Sequence, residues 1–126
     1  MPMRRKLTDA DRVWNRACYR EGTELHEGDL ALGALLLVDG YIQNGGVGHA
    51  FDLGPEELAA GLAGYKYFGL HELAALITPH PGEQEVEYNR RYYEFTNRDN
   101  AINAKFEEMF REHPERFAPL GEAAGG

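Results

Sequence analysis

Leu30-Ala31-Leu32-Gly33-Ala34-Leu35-Leu36-Leu37-Val38 runs without a polar side chain and continues into Asp39-Gly40-Tyr41-Ile42-Gln43 and the turn Asn44-Gly45-Gly46. The run is long for a strand and well short of the ~20 apolar residues that a membrane span needs. It reads as a helix from about Asp29 to Gln43. Being apolar on nearly every side, that helix belongs at the centre of the fold. The glycines after Asn44 can adopt the left-handed conformation that closes a helix.

The rest of the chain reads the same way. Leu and Ala together number 29 while Val and Ile number seven, the balance of a helical chain rather than a stranded one. A first helix begins at Thr8, whose hydroxyl caps the free amides, with Asp11 facing the dipole. Ala10, Val13, Trp14, Ala17 and Cys18 form its buried face, and Arg12, Arg16 and Arg20 form a solvated row. A third helix starts at Pro55, followed by Glu56 and Glu57; its Gly61 and Gly64 weaken it unless another helix crosses closely there. After Gly69 its stripe resumes through Ile77 and stops at Thr78-Pro79-His80-Pro81-Gly82. Two more helices follow at about 83–97 and 99–113, with Tyr88, Tyr92, Phe95 and Ile102, Phe106, Met109, Phe110 as core-facing rows. The expected fold is an all-α, compact single-domain bundle of about five to six helices. Residues 1–7 form a basic arm, 8–118 the domain and 119–126 a flexible tail.

Charge is unevenly spread. The 126 residues carry a net charge of −8, which opposes direct binding of nucleic acid. Residues 1–20 sum to +4, residues 21–87 to −11 and the remainder to −1, so a basic arm joins an acidic body. No apolar run reads as a membrane segment, residues 1–9 do not read as a secretion signal, and the single cysteine, Cys18, permits no intrachain disulfide. The expected location is cytoplasmic.

The residue pattern offers little for catalysis. Serine is absent, the five histidines show no i, i+4 pair, and no second cysteine completes a metal site. The glycines at 45, 46 and 48 lack the preceding strand and the lysine of a phosphate loop. No catalytic residue, cofactor or metal is therefore assigned, and the chain reads as a non-enzyme.

The central motif, Val38-Asp39-Gly40-Tyr41-Ile42-Gln43-Asn44-Gly45-Gly46 followed by His49-Ala50-Phe51, resembles the signature of the DNA-mimic-protein-like family, a helical bacterial domain of unknown function. The ending Glu107 to Phe117, with its Pro-x-x-Phe stop at Pro114, is similar to that family's closing helix. The likeness covers roughly residues 14 to 118. It implies an acidic dimer that occupies the DNA-binding surface of a transcription factor. Asn44, Gly45 and Gly46 are the structural signature, Asn44 bonding the turn backbone and the glycines supplying its dihedrals.

Charge and resemblance together favour an acidic interaction protein that binds a basic protein partner such as a DNA-binding regulator. The expected surface is Glu56, Glu57, Glu83, Glu85 and Glu87, with Asp52 beside them. One alternative is an immunity or regulatory protein. Another is a small ligand-binding or enzymatic domain with its pocket at the Asn44–Phe51 turn, where His49 and Asp52 supply polar groups. A homodimer would bring the basic arm of one copy onto the acidic body of another.

Overall fold

Helix α2 (Glu27–Gly45) is the element around which the others are arranged in a computed structural model that describes residues 7–19, 24–77 and 82–120. It packs against α1 (Asp9–Tyr19), α3 (Pro55–Tyr67) and the 3₁₀ helix Val47–Asp52. The remaining helices are α4 (His71–Leu76), α5 (Glu85–Tyr93) and α6 (Ala101–Glu112). The described residues thus hold six α-helices and no strand, an all-α bundle as expected. Among them, no helix is long and apolar enough to cross a membrane. Residues 1–6 of the basic arm, Arg20, the proline segment 78–81 and residues 121–126 lie outside the described part.

One side of α2 is fully sequestered and the other is not. Leu32, Leu35, Val38 and Ile42, three or four residues apart, are inaccessible, whereas Leu30 is 59% exposed and Leu36, Leu37 and Tyr41 are only partly covered. The uniform apolarity of this stretch therefore overstated its burial. The helix also starts two residues earlier than expected, because Asp29 sits in the first turn and accepts the His26 amide at 3.0 Å.

Among the described residues Asp29 is the buried acid, 2% exposed. Its Oδ1 accepts Arg16 Nη2 at 2.5 Å, and its Oδ2 accepts the Ala118 amide at 2.6 Å. Arg16 also donates to the Ala118 carbonyl at 3.0 Å. One ion pair thus joins α1, the start of α2 and the segment after α6. The expected solvated row is corrected by this: Arg16 is committed inward, while Arg12 keeps to the surface near Asp9. Cys18 is corrected as well, since it is exposed, although partial burial still pushes its thiol pKa up. The capping of α1 agrees with expectation, the Asp11 amide donating to Thr8 Oγ1 and the Thr8 amide to Asp11, both at 3.0 Å.

Gly61 and Gly64 provide the close crossing of α3 on α2. A methyl at Gly61 would collide with Val38, and one at Gly64 would stand 2.5 Å from the Ala31 carbonyl oxygen. Helix α3 then closes through Gly69 (φ 75°), with the Leu70 amide donating to the Tyr65 carbonyl at 2.8 Å. The stripe expected to run on to Ile77 is therefore split into α3 and α4.

The aromatic rows pack inward. Phe106 contacts Trp14 and Phe117 with ring centroids 5.5 Å apart in each case, and also meets Phe68. Tyr92 is inaccessible and donates to Asp39 Oδ1 at 2.7 Å, so the buried Tyr65 hydroxyl, 2.5 Å away, donates to Tyr92. Burial raises the pKa of both phenols, keeping them protonated donors. The expected helix 83–97 is corrected at both ends. It opens with a 3₁₀ turn at Gly82–Gln84 and widens into a π turn at Glu94–Arg98, closed by the Asp99 amide on the Glu94 carbonyl at 2.9 Å. That widening places Thr96 and Asn97 against Gln43, which donates to Thr96 Oγ1 at 2.9 Å and accepts from Asn97 at 3.2 Å.

Candidate functional site

The turn after α2 is built from glycine geometry and from a side chain far along the chain. Gly46, with φ 87° and ψ 173°, occupies a region open essentially to glycine alone, and its amide donates to the Ile42 carbonyl at 2.7 Å. Gly45 does not share this role. It remains in α2, and its lack of a side chain makes room for the His49 ring. The side chain that bonds the turn backbone is Asn89 of α5, whose Oδ1 accepts the amide of the inaccessible Val47 at 2.8 Å; Asn44 is exposed. These two findings correct the roles expected for Gly45 and Asn44. Gly46→Ala is expected to cost about 2 kcal/mol, from backbone strain and from the approach of Asn89 Nδ2, 2.9 Å from the new methyl. Urea unfolding measures it, and an unchanged midpoint would contradict this account.

His49 is occupied by its own chain. Its Nδ1–H donates to the Tyr41 carbonyl at 2.9 Å, its Nε2 lies 3.2 Å from Asp52 Oδ2, and its ring centroid stands 5.1 Å from that of Tyr41. An open groove of about 740 Å³ runs beside the turn, bordered by Leu36, Leu37, Tyr41, Asn44, His49 and Cys18. Asp52 does not border it, so the structure does not unite His49 and Asp52 in one pocket. The histidine instead stitches the 3₁₀ helix to the end of α2.

The acids chosen from the sequence gather around that 3₁₀ helix. Glu56 and Glu57 occupy the first turn of α3 directly after it, and Glu85 and Glu87 the first turn of α5, with Glu83 in the preceding turn. Helix α5 packs on the 3₁₀ helix, and Glu85 Oε1 lies 2.8 Å from where a methyl on Gly48 would be. Asp52, Glu56, Glu57, Glu83 and Glu87 are exposed, while Glu85 is half-buried. Two of the six meet a positive or protonatable partner: Asp52 has His49, and Glu87 has Arg90, which also pairs with Glu94. The Arg90 guanidinium lowers the Glu87 pKa. Among the described residues no cation comes within ion-pair distance of Glu56, Glu57, Glu83 or Glu85.

Chain comparisons add no relative. No family model, curated protein or solved structure matches. Among the described residues, no three His, Cys, Asp or Glu side chains are grouped as they would be to hold a metal ion.

The sequence marks neither Asp29, which is buried, nor Asp39, which is half-buried, as a residue with an internal role. Asp29 resembled an ordinary first-turn acid. Asp39 stood inside the motif, three residues before Ile42 of the sequestered face, which was the available signal.

Proposed function

We propose that the chain is a non-enzymatic interaction protein whose acidic end engages a basic protein partner, a DNA-binding regulator being the kind of partner that the central motif suggests. One observation carries this reading: the first turns of α3 and α5 bring acids 29 residues apart in sequence, Glu56 and Glu85, to helices that both pack on the 3₁₀ helix Val47–Asp52. Each acid favours its own helix dipole, which accounts for its presence in a first turn. The dipole explains single acids; it does not require two helix starts to converge on one end of a molecule.

Such an end attracts a basic surface before contact and releases it as salt rises. The test is affinity capture from native extract at low salt, followed by competition with duplex DNA for each protein recovered. A partner displaced by DNA is expected to bind the triple variant Glu83→Gln, Glu85→Gln, Glu87→Gln about tenfold more weakly. Glutamine preserves side-chain size and helix tendency, so circular dichroism should be unchanged. Equal binding by parent and variant at every salt concentration would defeat the reading.

A further inference from the structure

A second site lies on a different part of the molecule, over the half-buried aspartate of the motif. A pocket of about 290 Å³ opens between the outer side of α2 and the π turn, lined by Trp14, Asp39, Gln43, Asn97, Asn100 and Asn103 among others. We infer that this pocket binds a cationic group with several N–H donors, a guanidinium or an ammonium, with Asp39 as its counter-ion.

The argument begins with what Asp39 does inside the protein. Its Oδ1 accepts Tyr92 Oη–H at 2.7 Å and Gln43 Nε2 at 3.2 Å. Among the described residues its Oδ2 has no hydrogen-bond donor, and no Lys, Arg or His stands within ion-pair distance. A carboxamide oxygen would accept the same two bonds, so the internal network requires an acceptor and not a charge. Taking an uncompensated carboxylate partly out of water carries a cost. Burial indeed raises the Asp39 pKa, with no neighbouring cation to oppose it. The charge is accounted for by a positive group arriving from outside.

The surroundings of Asp39 suit such a group. Gln43, Asn97, Asn100 and Asn103 supply carbonyl oxygens that accept N–H donors, and Trp14 supplies an aromatic wall of the kind that cations favour. The backbone is irregular in the same place. The π turn Glu94–Arg98 carries Asn97, and Asn100 is the one described non-glycine residue with positive φ, at 54°. Both irregularities carry carboxamides to the pocket, whereas a continuous α-helix through this segment would turn them elsewhere. The volume accommodates a guanidinium and a few attached carbons.

Trp14 is the chain's one tryptophan, so its fluorescence reports on this pocket directly. Titration of the full chain with methylguanidine is expected to give a saturable change, and neutral methylurea of the same shape none. A capped tripeptide with a central arginine distinguishes the source of the cation. Tighter binding of the peptide than of methylguanidine assigns the pocket to a side chain of a protein; binding of methylguanidine alone assigns it to a free small molecule. Asp39→Asn retains both internal bonds and is expected to weaken binding at least about tenfold without lowering the melting temperature. Asn103→Leu keeps the shape of the side chain, removes one carboxamide from the pocket without touching the bonds of Asp39, and is expected to weaken the response. Equal responses to methylguanidine and methylurea, no saturation with either cation, or unchanged affinity in folded Asp39→Asn or Asn103→Leu would each overturn the inference. None of these readouts depends on the acidic end around the 3₁₀ helix.

Discussion

Asp29→Ala is expected to destabilise the fold by about 3–5 kcal/mol, the range for breaking a buried ion pair by removing one partner. For a domain of this size that corresponds to a fall in melting temperature of roughly 10–20 °C. The cost follows from what the carboxylate holds. Oδ1 neutralises Arg16, and Oδ2 accepts two backbone amides, His26 at the start of α2 and Ala118 beyond α6. Removal strands the Arg16 guanidinium, whose side chain is 16% exposed and whose Nε already lacks a partner among the described residues. The nearly isosteric Asp29→Asn is expected to lose much of the same stability. An amide nitrogen facing either Arg16 or the two backbone amides sets donor against donor. The paired change Arg16→Met, Asp29→Leu is expected to cost less than Asp29→Ala alone, because no uncompensated charge remains. Thermal unfolding followed by circular dichroism measures all three. If Asp29→Ala melts within a few degrees of the parent, the ion pair is not what clamps the chain ends to α2.

That clamp illustrates which features could be read from the sequence. Thr8 and Pro55 announced their helices because a cap and a first-turn proline act within four residues of themselves. The apolar run of α2 and the aromatic rows announced themselves by period, and the exposed acids by charge. Partners distant in sequence left no comparable mark. Ala118 lies 89 residues beyond Asp29, and Asn89 lies 42 beyond the Val47 amide that it holds. Arg16 looked like a surface residue because its spacing from Arg12 and Arg20 is helical, yet burial depends on what packs above the helix. For the candidate site, the exposed acids were legible one by one, while their convergence depends on how α5 returns to the 3₁₀ helix. The carboxamide pocket was least legible, since it rests on a π turn and a left-handed asparagine that no periodicity encodes.

Glycine substitutions along α2 and α3 are expected to move stability in opposite directions at positions that look alike in sequence. Gly40 and Gly64 both lie inside helices, where glycine costs roughly 1 kcal/mol relative to alanine. A methyl at Gly40 meets nothing within 4 Å, so Gly40→Ala is expected to stabilise by about 0.5–1 kcal/mol. At Gly64 the same methyl stands 2.5 Å from the Ala31 carbonyl oxygen and 3.1 Å from Leu35 Cβ. Neither atom belongs to the far end of a flexible side chain, so α3 must move off α2. Gly64→Ala is therefore expected to be destabilising despite its better helix propensity, and Gly64→Val to cost about 3 kcal/mol or more. Gly61→Ala falls between, since it meets Val38, a side chain that can give ground only by disturbing the sequestered face of α2. Urea unfolding midpoints at constant m-value rank the variants. Stabilisation by Gly64→Ala would mean that α3 rides farther from α2 than a 2.5 Å approach to the Ala31 carbonyl implies, and the inaccessibility of Leu35 and Val38 would then need another cover.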